Sequence, residues 1–312
     1  MALKQVLEVY EVMDSGSVSG SDIVAMARDV GIAEAASVTV KGPKGSTDFV
    51  KLLIPGSKGK TAGGSAPTLG LIGRLGGLGA RPERTGFVSD GDGALTVIAA
   101  ALKLGLMAQR GDQLAGDVIV ATHICPNAPT RPHHPVPFMD SPVEFHVTND
   151  YELDERMDAV LSVDTTKGNR IINTRGFALS PTVKQGYILR VSEDLLDLMQ
   201  ITTGRLPAVF AVTTQDITPY GNGVFHLNSI LQPSVATAAP TVGVAITTET
   251  AVPGCATGAT HLTDIEMTAR FCIETAKAFT QGQCRFYDED EFTLLQQLYG
   301  PMTHLQAGGS RP

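Results

Sequence analysis

Three apolar runs do most to decide what this chain can fold into. "DVIVAT" (117–122), "DAVLSVD" (158–164) and "TVGVAIT" (241–247) are apolar on consecutive positions, not on alternate ones. A strand of that kind has to bury both of its faces, which a sheet covered by helices allows. Further candidate strands are "SVTV" (37–40), "DFVKLLI" (48–54), "YILRVS" (187–192) and "PAVFAVTT" (207–214). Amphipathic or apolar segments between and around them predict helices over 3–13, 20–30, 66–78, 92–109, 192–202, 224–232, 261–280 and 289–299. Strands alternating with helices predict a single α/β domain over 1–312, a three-layer α/β/α arrangement with a mostly parallel sheet.

Composition narrows the class of partner. The formal net charge is −8 and no Lys/Arg cluster interleaves with aromatics, which argues against nucleic acid. No apolar run is read as a membrane span. The N-terminus, "MALKQVLEVYEVMDSG", reads as an acid-studded amphipathic helix without the apolar core of a signal peptide, so the expected compartment is the cytoplasm. Cys125, Cys255, Cys272 and Cys284 form no CxxC pair, and Cys125 reads as a buried apolar thiol.

A parallel sheet aligns the C-terminal ends of its strands along one edge, and ligands of open α/β sheets bind beyond that edge. Four sequence features fall there. "GFVSDGDGALTVIAAALKLG" (86–105) places Asp90 and Asp92 at the start of a long helix, where one carboxylate suffices as a cap and the second is left for a site. "VIVATHICPNAPTRPHHP" (118–135) ends a strand on His123 and enters a proline-rich loop, 125–142, that carries His133 and His134. "AVLSVDTTKGN" (159–169) ends a strand on Asp164, either a turn-forming residue or a ligand. "GCATGATHLTD" (254–264) puts His261 before the last long helix, as a cap or a ligand, and His226 lies near another helix start. Carboxylates and imidazoles meeting at one edge are the ligand types of hydrolytic zinc or manganese sites.

Glycine-rich segments give weaker signals. In "LLIPGSKGKTAGGSAP" (52–67) the glycine required five residues before "GKT" is Ile54, so the phosphate-loop spacing fails. A surface turn is the reading, with anion binding through Lys58 and Lys60 as a minor alternative. "GRLGGLGA" (73–80) reads as no dinucleotide fingerprint, because no strand is predicted before it.

The order of these pieces resembles the co-catalytic zinc aminopeptidase clan, in its glutamyl and leucyl aminopeptidase-like branches. The resemblance runs over roughly 48–280, through "SDGDGALTVIAAALKL", "VIVATHICP", "VLSVD", "YGNGVFHLNSILQ" with "PTVGVAIT", and "GATHLTDIEMTARFCIETAKAF". The whole chain also resembles an uncharacterised bacterial family, a domain of unknown function. The resemblance implies a zinc-aminopeptidase-like (phosphorylase/hydrolase-like) fold. It implies one divalent metal, zinc first and manganese or cobalt next, on Asp90 (or Asp92), His123, Asp164 and His261, with Asp92, Asp140 or Glu249 as base. A small-molecule or short peptide-like substrate and a homo-oligomer follow from the same likeness. The chain departs from the clan in two places. It has no His-x-Asp motif, since His123 is its first histidine, and "ATHICPNAP" lacks the Glu-Glu pair. The function expected is a metal-dependent hydrolase of peptide-like or amide bonds. The alternative is a non-catalytic protein of the same fold that binds a small molecule or forms a structural oligomer.

Overall fold

The computed structural model describes residues 1–312 apart from 75–85, 135, 220–221, 225–229, 253, 255–256 and 307–312, and the side chain of Phe138. In chain order, helices α1 (Leu3–Met13) and α2 (Gly20–Asp29) precede strands β1 (Glu34–Gly42), β2 (Gly45–Ile54) and β3 (Leu69–Gly73). Helix α3 (Asp92–Gln109) leads to β4 (Val118–Ile124), and a short hairpin, β5 (Thr130–Arg131) and β6 (Phe138–Met139), to α4 (Phe145–Glu152). Then come β7 (Ala159–Thr165), β8 (Gly176–Leu179), β9 (Val183–Lys184), β10 (Tyr187–Ile188), α5 (Glu193–Thr203), β11 (Thr241–Thr247), α6 (Leu262–Thr280) and α7 (Glu289–Tyr299).

Nine strands form one sheet in the order β1-β2-β4-β3-β7-β11-β9-β10, with β8 also paired to β11. The central pairings β4–β3, β3–β7 and β7–β11 are parallel. Both flanks are antiparallel. The mostly parallel sheet of the sequence reading is therefore a mixed sheet with a parallel centre. Every residue of β4, β7 and β11 is buried, as their unbroken apolar runs demand. Leu71, Val120, Leu161 and Val244 face the helical side, packing with residues of α1, α2, α3, α5 and α6. Ile72, Ile119 and Val160 face the other side. That side is covered by α4 and by irregular chain carrying Met157, Phe210, Ile230 and Leu231.

Helix α3 lies between α1 and α6 against the parallel strands. Counted from Ser89 it has 21 residues, and an 18-residue window within them has the mean hydropathy (1.4) of a membrane span, contrary to the sequence reading; 78% of that window is buried within the fold. The helix is apolar all round because it has protein on every side.

Several expectations fail here. Residues 66–78 were read as helix, yet 69–73 are β3, the middle strand of the parallel centre. Glycine disguises it: a Cβ on Gly70 would lie 2.4 Å from Met157 Sδ, and one on Gly73 2.8 Å from Ala94 Cα of α3. A strand therefore does run into the 73–80 segment, most of which lies outside the described residues. Residues 207–214 form no strand, only an isolated bridge from Val209 to Leu179, and of 187–192 only Tyr187–Ile188 are strand. Most of the helix expected over 224–232 falls outside the described residues, as do His226 and Cys255.

The glycine loop after β2 sits at the opposite edge of the sheet from the candidate residues, beside the N-terminal ends of β3, β4 and β7. It encloses a carboxylate of the protein itself. Asp117 accepts hydrogen bonds from Gly56 N (2.8 Å), Thr61 N (2.9 Å) and Thr61 Oγ1 (2.8 Å). Lys60 is paired with Asp158 at 2.8 Å. Burial pushes the Asp117 carboxyl up, but these hydrogen bonds outweigh it and hold it below the ordinary range. A carboxylate with a lowered folded pKa stabilises the fold above its unfolded value near 3.9, and that contribution is lost as pH falls through the folded value. Asp117→Asn is expected to cost about 2 kcal/mol at neutral pH. In thermal melts across pH, its gap from wild type should narrow steadily as pH falls below the unfolded value of about 3.9; a gap that stays constant through that fall would refute the assignment.

Candidate functional site

Along the C-terminal edge of the parallel strands, Arg74, His123 and Asp164 occupy neighbouring positions on three adjacent strands. Gly73 is in register with both Thr122 and Val163, so the next residue on each strand shares a row. Arg74 N donates to Val163 O at 2.8 Å, which extends the parallel pairing one residue beyond β3. All three side chains belong to the face covered by α4, opposite α3.

His123 is 4% exposed. Its Nδ1 lies 2.9 Å from Glu152 Oε1, at the end of α4. The other oxygen of Glu152 accepts from Arg74 Nη1 at 2.5 Å. Arg74 Nη1 also reaches Asn149 Oδ1 at 3.4 Å, and its guanidinium lies 4.8 Å from the Phe145 ring centroid. A carboxylate only accepts, so His123 carries its proton on Nδ1, and in the neutral ring Nε2 is left as the acceptor. Phe49 of β2 packs against the imidazole and stacks on Tyr151 of α4.

Asp92, the first residue of α3, is fully buried. Its Oδ2 accepts from Lys167 Nζ at 2.7 Å and its Oδ1 from Thr260 Oγ1 at 2.8 Å. Burial pushes its carboxyl up, against the opposing pull of Lys167, Thr260 and, more weakly, His261. Asp90 and Asp164 are also buried, at 5% and 2% exposure. Asp164 Oδ1 accepts from the amide of Thr165 at 2.7 Å. His261 is different: its side chain is 54% exposed and turns toward Asp264 at 3.3 Å. The loop 125–142 lies over this edge. Met139 and Ala128 pack on Val88, just before Asp90, and Asp140 pins the loop by pairing with Lys44 at 2.6 Å and Arg131 at 3.3 Å.

Of the sequence-predicted residues, His123 and Asp92 thus share one edge but belong to two separate buried networks, His123 with Glu152 and Arg74, and Asp92 with Lys167 and Thr260. Among the described residues, no three His, Cys, Asp or Glu side chains gather in a way that could hold a metal ion. His123 on its own has the form of a ligand, an imidazole oriented by a carboxylate. Asp92 does not, since both its oxygens are engaged, one by an ammonium. Among the described residues, the donor set as arranged does not fit a divalent ion. Glu249 is exposed and Asp140 holds the loop. His133 and His134 are exposed, and burial pushes the Cys125 thiol up to about 11. Sequence reasoning missed Arg74, Glu152 and Lys167. Lys167 stood within the quoted "VDTTKGN", but Arg74 followed a strand read as helix, and Glu152 ends a helix that was not predicted.

Removing one charge of a buried pair strands the other, typically at about 3–5 kcal/mol. Glu152→Gln should therefore destabilise the fold by about that amount, and Arg74→Met on top of it should recover part of the loss. Urea denaturation measures both, and Glu152→Gln melting like wild type would show that the pair does not carry this load.

Comparison with known proteins followed the same lines. Among solved structures, the chain is similar to "Bottromycin maturation enzyme BotP", with a TM-score of 0.55, 18% identity, and 90% of this chain and 70% of that one covered. It is also similar to the same enzyme in complex with Mn, at a TM-score of 0.51, 17% identity, and 90% and 71% coverage. The Legionella pneumophila LapA aminopeptidase matches at a TM-score of 0.49, 12% identity, and 90% and 71% coverage. At these identities the likeness is one of fold. No curated protein matches the sequence. A family model described as "Protein of unknown function (DUF1177)" matches residues 38–309, and the chain belongs to that family.

Proposed function

We propose that the protein binds a small peptide-like or amide-bearing molecule at the C-terminal edge of its central strands, beneath the 125–142 loop, without a resident metal. The observation that carries this reading is the ion pair of Lys167 with Asp92: a buried ammonium 2.7 Å from the carboxylate that would otherwise be free for a metal. Polar groups collected at strand ends under a covering loop are what a small-ligand site of an α/β sheet consists of. The fold, shared with peptide-processing enzymes, supports a peptide-like ligand by analogy.

A second reading keeps the chemistry expected from the sequence. It is a metal-dependent hydrolase of peptide-like or amide bonds, with zinc or manganese on Asp90, His123, Asp164 and His261 and with Asp92 as base. The pairing of His123 with Glu152 favours it, because metal-bound imidazoles are held by such carboxylates. The same pairing equally orients a histidine that exchanges a proton with a bound ligand.

The two readings separate in one set of measurements. Short peptides and their amides are screened by thermal shift and by product analysis, with and without Mn²⁺ or Zn²⁺. The proposed reading expects ligand-induced stabilisation without metal, weakened about tenfold or more in His123→Ala through loss of a buried polar contact. Turnover that appears only with added metal would favour the hydrolase, and no response to any ligand would sink the proposed reading.

A further inference from the structure

Lys167 is held more firmly than a surface lysine could be. The amide of Thr166 donates to Ile246 O at 2.8 Å, and the amide of Gly168 to Thr248 Oγ1 at 2.9 Å. Gly168 also bridges to Ala251, and a Cβ there would lie 2.3 Å from Thr248 O and 2.5 Å from Thr250 O. The backbone on both sides of Lys167 is thus docked on the end of β11, and only glycine fits the second contact. The side chain is 3% exposed and its Nζ reaches Asp92 Oδ2.

An ammonium has three N–H donors. Among the described residues, Asp92 is the hydrogen-bond partner of this one, so two donors remain for another acceptor. Thr260 closes the second oxygen of Asp92. A divalent ion at Asp92 would have to displace Lys167 or share the carboxylate with a like charge in contact, which the low dielectric of a buried site makes strongly unfavourable.

We propose that Lys167, seated on Asp92 by the Thr166–Gly168 backbone, stands in for a divalent metal and offers its remaining donors to a carbonyl oxygen of the ligand. This rests on the metal-free reading above and adds to it the group that meets the ligand. It predicts that the intact chain excludes divalent metal at Asp92, and that loss of the ammonium weakens binding of a carbonyl-bearing ligand.

The test uses the full chain, purified without chelator. Wild type, titrated with Mn²⁺ and with Zn²⁺, should carry substoichiometric metal and show no saturable shift in melting temperature. Where wild type binds short peptide amides, Lys167→Ala should bind them at least tenfold more weakly, read by thermal shift. A folded Lys167→Ala that binds them like wild type overturns the proposal. So does stoichiometric metal in wild type that Asp92→Asn removes, a result that decides the matter even where Lys167→Ala does not fold. Because the metal arm needs no ligand, a negative ligand screen leaves its outcome intact and counts against the binding reading alone.

Discussion

Charge taken out of water has to be compensated, and this constraint shapes the working edge of the sheet. Burying an ion unpaired costs several kcal/mol, so every buried charge needs a fixed counter-charge or several hydrogen bonds. Here the compensation is internal. Arg74 faces Glu152, Lys167 faces Asp92, and the imidazole of His123 joins the first pair. One set of contacts ties the ends of β3 and β4 to the end of α4, and the other ties the start of α3 to the segments after β7 and before α6. Each of these charges is held in place by the partner it compensates.

The other edge obeys the same rule with a different device. A loop with the look of an anion-binding turn folds around Asp117, so its amides serve a carboxylate brought by β4 and not one arriving from solution. Sequence spacing alone had already excluded a phosphate loop through Ile54. What spacing could not show is that the amides are spent.

Much of the architecture was legible because it rests on local pattern. The consecutive apolar runs of β4, β7 and β11 and the periodicity of α1, α3, α6 and α7 survive in the structure nearly unchanged. β3 was not legible, since the glycines that let Met157 and Ala94 approach it erase its strand character. The placing of Asp90, Asp92, His123 and Asp164 at one edge was legible because strand ends can be read from apolar runs. Their partners were not, because an ion pair between residues 75 apart, as Lys167 with Asp92, leaves no trace in local spacing. For His261 the reading as a residue of the helix start describes its half-exposed ring better than a place inside the site does.

The uniform burial of α3 carries a cost that appears only during synthesis. A helix with the hydropathy of a membrane span is safe once α1, α6 and the strands enclose it. Yet α6 leaves the ribosome roughly 170 residues after α3, which at about 5–20 residues per second is some 10–30 seconds. Over that interval α1, α2 and the strands made before α6 are all the cover α3 can have, and the face that α6 takes is the last to be closed.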